Sequence, residues 1–174
     1  MLLSFFIPIV YAKSHILCIT TPASVKLQSV MKMKGSKDLL SSILKTTQMG
    51  QIGIRCVLKA PLETKLRTAL KDQLKEYDAI ETEAHALAAN RGWELEELDP
   101  AVKFMSRAMT RSMLSFGNVN SKTAAMMING NTRGMIKSLK NLHQFNNSDE
   151  RVSTLSQKLL DCETANIKQM QGFL

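Results

Sequence analysis

The sequence reads as all-α: a four-helix bundle of two long antiparallel hairpins joined by a shorter crossover helix. Three observations lead there. Only 4 Pro and 8 Gly punctuate the 174 residues, which favours long helices over many short strands. From Ser36 onward, apolar residues recur at helical spacing almost throughout. Cap and breaker residues at Pro61, Gly92, Asp99-Pro100, Gly117-Asn118 and Ser148-Asp149 divide that text into five helices. A hydrophobic share of 44% with 22% charged residues suits one core. Two regions result, an N-terminal extension over residues 1–35 and a helical bundle domain over 36–174.

Residues 2–19 are apolar but interrupted by Pro8, Lys13 and His15, too broken for a clear membrane span. The polar stretch that follows reads as a loop. Three readings stay open for this extension: a disordered tail or a reading frame that truly starts at Met31 or Met33, a signal cleaved after Ala12, or a retained anchor. Localisation follows that choice. It is cytoplasmic by default, exported if residues 1–12 act as a signal, and membrane-associated only if 2–19 stay.

The first helix is expected from a Ser36 cap to about Ala60, with Leu40, Ile43, Leu44, Thr47, Gln51, Ile54 and Leu58 inward. Pro61 breaks it. The second runs from about Leu62 to Asn90 and buries Leu66, Leu70, Gln73, Tyr77, Ile80, Ala84 and Leu87, with Gly92 positioned for its C-terminal cap. Asp99 and Pro100 open a shorter third helix to about Phe116. There Met105, Met109 and Met113 share a face with Val102 and Phe116, a soft gap-filling core or, failing that, a partner groove. The fourth helix, about Ser121 to Phe145, turns Ala124, Ala125, Ile128, Thr132, Met135, Ile136, Leu139 and Leu142 to one side, and puts Gly130 and Gly134 on its back. Ser148 or Asp149 opens the fifth, whose stripe is Val152, Leu155, Leu159, Glu163, Asn166, Met170 and Phe173. Trp93, Leu95 and Leu98 close one end of the bundle.

Charge narrows the function classes. The net charge is +8, but Lys13, Lys26, Lys32, Lys34 and Lys37 precede the first acidic residue, leaving 18 basic against 15 acidic residues from Asp38 onward. No helix collects a basic stripe with interleaved aromatics, so a nucleic-acid partner is not expected. Cys18, Cys56 and Cys162 show no metal spacing and suit a reducing compartment. No Ser-His-Asp or Cys-His arrangement stands out, and the reading leans away from an enzyme. His85 is expected near solvent, and His143 inside or at the bundle end.

Glu163 and Asn166 are the anomaly, because a carboxylate and an amide sit in the middle of an apolar stripe. Burying an ionised carboxylate without partners costs several kcal/mol or more. Counted from the turns at about 1.5 Å per residue, Gln51, Gln73, Asn131 or Thr132, and Glu163 lie at similar depth. The layer then contains Gln51, Gln73-x-x-Glu76, Asn131 or Thr132, and Glu163-x-x-Asn166.

This layer, with the helix lengths, resembles the ferritin-like superfamily over about residues 36–174. Its di-iron members hold metal with a Glu from each of two helices and a Glu-x-x-His pair from each of the other two. Here most ligands are replaced by amides and neither histidine position is filled. The resemblance implies a bundle without a complete di-iron site. Such a protein is expected to act structurally or through interaction, with a homo-oligomer or another helical protein as partner and no cofactor. The layer would then be a hydrogen-bond network that fixes helix register. The alternatives are a small-ligand pocket, or a divergent oxidase or storage protein that binds iron or manganese through Glu76 and Glu163.

Overall fold

A computed structural model of the chain describes residues 22–102, 118–146 and 148–174, with side chains from Ser29 onward. Among these residues there are four long helices and no strand: α1 (Pro22–Val57), α2 (Thr64–Ala89), α3 (Val119–Gln144) and α4 (Glu150–Gln171). A helical turn over 100–102 follows Asp99, whose carboxylate accepts the Ala101 N–H at 2.6 Å. This is the start of the expected third helix. The rest of it, with Met105, Met109, Met113 and Phe116, lies outside the described residues.

α1 begins 14 residues before the expected Ser36 start, so the stretch read as a loop is helical from Pro22. Ser36 is therefore no N-cap. Its hydroxyl donates back to the Lys32 carbonyl at 2.8 Å and accepts the Asp149 N–H at 2.7 Å. The turn just before Ser36 offers no buried stripe to read: Val30, Met31 and Met33 are all more than half exposed. Proline at the first helical position suits the start, since its missing N–H has no partner there anyway.

The turn into α2 is held by Arg67, whose guanidinium donates to the Leu58 and Ala60 carbonyls just past the end of α1. Gly92, at φ +62°, supplies the left-handed residue beyond α2. Asn118 caps α3 through bonds from the Asn120 and Ser121 N–H groups, and Asp149 caps α4 through Arg151 N–H.

The hairpin partners α1 with α2 and α3 with α4 share the largest interfaces; α2 also packs on α4, and α1 on both α3 and α4. Glu63 N–H donates to Asn120 Oδ1 at 3.1 Å, so α2 and α3 start at the same end. At the other end, the Arg91 guanidinium lies 2.7 Å from the Asp149 carboxylate, beside Ser36. Between these ends the chain leaving α2 travels back along α1. Ser41 accepts the Glu96 N–H, Lys45 pairs with the Glu96 carboxylate, and Gln48 accepts the Leu98 N–H.

Leu40, Ile43, Leu66, Leu70, Leu155 and Leu159 are among the residues of one shared core, each worth roughly 1.5–3 kcal/mol of burial. Trp93 and Leu95 pack on its end, with the Arg91 guanidinium 5.2 Å from the indole centre.

One face is rotated from expectation. α3 buries Thr123, Ala124, Met127, Asn131, Gly134 and Ser138, whereas Ile136 and Leu139 are 46% and 42% exposed and His143 is exposed. Ala124 is buried and Ile128 packs partly on the core as expected, so the helix is turned rather than reversed. Its inner side is small and polar because α4 comes close there.

Ser36→Ala is expected to destabilise the chain by about 1–2 kcal/mol, because it leaves the Asp149 N–H without its acceptor. Met33→Ser, on the exposed turns, should stay within about 0.5 kcal/mol. Urea titrations followed by circular dichroism compare the two.

Candidate functional site

Glu163 is 1% exposed and turns from α4 toward α3. Its carboxyl lies directly over the Cα of Gly134, where any Cβ would occupy the space of the carboxyl oxygen. Glycine makes that approach possible, and Ser138, one turn on, donates to Oε2 at 3.2 Å. Burial pushes the Glu163 acid up to about 8, with the Ser138 bond and the nearby Lys137 ammonium pulling weakly the other way. At neutral pH the group is therefore mostly a neutral acid, a donor as well as an acceptor.

Tyr77 is the second centre. It is 1% exposed, and Gly50 on α1 clears room for the ring, since a Cβ there would come within 2.7 Å of the Tyr77 ring carbon. The phenol donates to Asn131 Oδ1 at 2.8 Å. Burial, and then the charges of Glu163 and Cys162, hold this phenol far above its ordinary range, so it remains a neutral hydroxyl. Asn131 is 3% exposed, and its Nδ2 has no partner among the described residues.

The remaining candidate residues separate into other surroundings. Gln51 is 6% exposed but donates to Asp78 and Glu81 on the α1–α2 face. Gln73 donates to Gln169 at 2.7 Å, while its Oε1 is buried without a partner among the described residues. Asn166 is 3% exposed and reaches both Tyr77 and the Cys162 thiol. Thr132 donates to the Ile128 carbonyl of its own helix. Glu76 is exposed and accepts from the Cys162 thiol at 3.4 Å; burial and then Glu76 push that thiol up to about 12, leaving it unreactive.

Glu76 and Glu163 thus have different hydrogen-bond neighbours. Among the described residues no group of three or more His, Cys, Asp or Glu side chains is placed to hold a metal ion. No helix among them is long and apolar enough to cross a membrane. His85 is an exposed neighbour of Glu81 at 3.9 Å.

Tyr77, Asn131 and Glu163 border a cleft of about 520 Å³ between α1 and α3. Met126, Met127 and Leu98 give it apolar walls, and Lys45, Arg133 and Lys137 also line it. The expectation that Gly130 and Gly134 both lie on the back of their helix is corrected: Gly134 is buried against Glu163, whereas a Cβ at Gly130 would meet nothing within 4 Å among the described residues. Tyr77 was expected only as part of a buried stripe. A tyrosine among aliphatic residues needs a partner for its hydroxyl, and that demand was the available signal.

Glu163 fixes the sign of one pH effect. Its folded value of about 8 exceeds the ordinary 4.5, so the folded chain holds a proton that the unfolded chain releases between these limits. The stability this gives is complete below about pH 4.5 and is lost as pH rises through about 8. Glu163→Gln should flatten the stability curve across that range and raise stability at pH 8 by on the order of a few kcal/mol. Urea midpoints at several pH values measure it.

Gly134→Ala should cost about 1–3 kcal/mol in the native background. Combined with Glu163→Ala, which vacates the space, the same change should become neutral or stabilising, because alanine is the better helix former by about 1 kcal/mol. A double-mutant cycle reads the coupling, and additive values would show that the two residues do not clash.

No protein-family model and no curated protein match this sequence. Among solved structures the fold is similar to the crystal structure of a DUF305 fragment from Deinococcus radiodurans. The TM-score is 0.66 at 14% identity, over 81% of this chain and 95% of that one. The chain shares an all-helical fold with that protein.

Proposed function

We propose that this chain is a ferritin-like four-helix bundle without a complete di-iron site, acting as a structural or interaction protein. The observation that carries it is the chemistry at the depth where di-iron members hold their ligands. Here that level contains a phenol, amides, a glycine and one carboxyl group that burial keeps largely protonated at neutral pH. A neutral acid and amide groups are poor donors for iron or manganese. Tyr77–Asn131 and Ser138–Glu163 instead link α2 to α3 and α3 to α4, which fixes helix register. The common starting end of α2 and α3, and the return of the chain along α1, support the single-crossover topology. Partners are a second copy or another helical protein.

Elemental analysis of the full chain, purified without chelator and then offered ferrous iron or manganese anaerobically, tests this reading. The expected outcome is no stoichiometric metal and an unchanged thermal midpoint. Stoichiometric metal that disappears in Glu163→Gln would instead establish the metal-binding oxidase or storage alternative.

A further inference from the structure

The cleft between α1 and α3 brings together a buried donor and two cations that have no acceptor among the described residues. Asn131 is almost fully buried, and its Nδ2 makes no bond among the described residues. Glu163 lines the same cleft and accepts only from Ser138 among the described side chains. Lys45 is paired with Glu96, but neither Arg133 nor Lys137 forms an ion pair among the described residues. Partial burial, together with repulsion from Lys45, holds the Lys137 ammonium below the ordinary lysine range. An anion between these cations would relieve both effects. Met49, Met126, Met127 and Leu98 give the wall its apolar part, beside Thr46 and Asn129, and the volume of about 520 Å³ falls among those of small-molecule sites.

We infer that this cleft binds a small amphipathic carboxylate, its acid group held by Lys137, Arg133 and the Asn131 amide and its unbranched apolar body lying along Met126 and Met127. This rests on the bundle lacking a metal site, as proposed above, and goes beyond that reading by adding a small ligand. Charge complementarity selects the carboxylate over an amine or an uncharged chain. Glycines suit the apolar part of the site. A Cβ at Gly53 or Gly130 would meet nothing within 4 Å among the described residues, so α1 and α3 leave room between them for an alkyl chain.

The probe is decanoate, titrated calorimetrically into the full chain below its micellar concentration, with decanol and decyltrimethylammonium as comparisons. Saturable one-to-one binding of decanoate is expected, at least tenfold tighter than either comparison. Lys137→Ala should weaken it about tenfold, and Gly130→Leu, which fills the cleft from an exposed position without removing a charge, should abolish it. Circular dichroism confirms that both variants fold. Equal binding of all three amphiphiles, or decanoate affinity untouched by both substitutions, would overturn the assignment. So would a chain that ignores decanoate but whose dimer dissociates with Gly130→Leu, since the cleft would then belong to a second copy. Failure here with clean metal-free protein removes only the ligand class, whereas stoichiometric metal in the elemental analysis removes the functional reading beneath it.

Discussion

The contact between the Glu163 carboxyl and the bare Cα of Gly134 sets the spacing of α3 and α4. A carboxyl group can be taken out of water here because it gives up most of its charge and meets the Ser138 hydroxyl. Both adjustments need the helices to be near. Only glycine permits the approach, and the small buried residues Thr123, Ala124 and Ser138 extend it along the interface. Rotation of α3 follows from the same constraint, because a helix that presents its small polar side inward must turn Ile136 and Leu139 outward.

Tyr77 carries this arrangement to the other hairpin. Its ring fills the space cleared by Gly50 and its hydroxyl ends on Asn131, so α1, α2 and α3 are fixed against one another at one depth. Two glycines on different helices, Gly50 and Gly134, therefore receive an aromatic ring and an acid group. The cleft is a by-product of this packing: where glycines replace bulk along α1 and α3, the helices leave space that the core does not fill. Polar groups line the part of that space nearest the core, and cations gather on α1 and α3 beside it.

Element by element, the helices could be read from sequence to the extent that burial and hydrophobicity coincide. In α4 they do, and Val152, Leu155, Leu159, Glu163, Asn166 and Met170 are buried where the periodicity put them. In α3 they diverge, since Thr123, Asn131, Gly134 and Ser138 are buried while Ile136 and Leu139 are exposed, and a rule based on hydrophobicity selects a face turned partly away from the core. Depth counting placed Asn131, Glu163 and Asn166 at one level because rise per residue is fixed by the helix. It could not say which way Gln51 would turn. That side chain answers Asp78 and Glu81 instead, charges that lie on the adjacent helix and leave no mark in its own periodicity.

The bond between Ser36 and the Asp149 N–H divides α1 into two mechanically different parts. Beyond it, Leu39, Leu40, Ile43 and Leu44 are sealed in the core; just before it, Val30, Met31 and Met33 are exposed on a helix that stands clear of that core. A short isolated stretch of helix is marginal in water. Amide protons should therefore exchange quickly up to Gly35 and slow abruptly within the next turn, because opening there requires the end of the core to open as well. One serine hydroxyl marks the point at which a continuous helix passes from local to global stability.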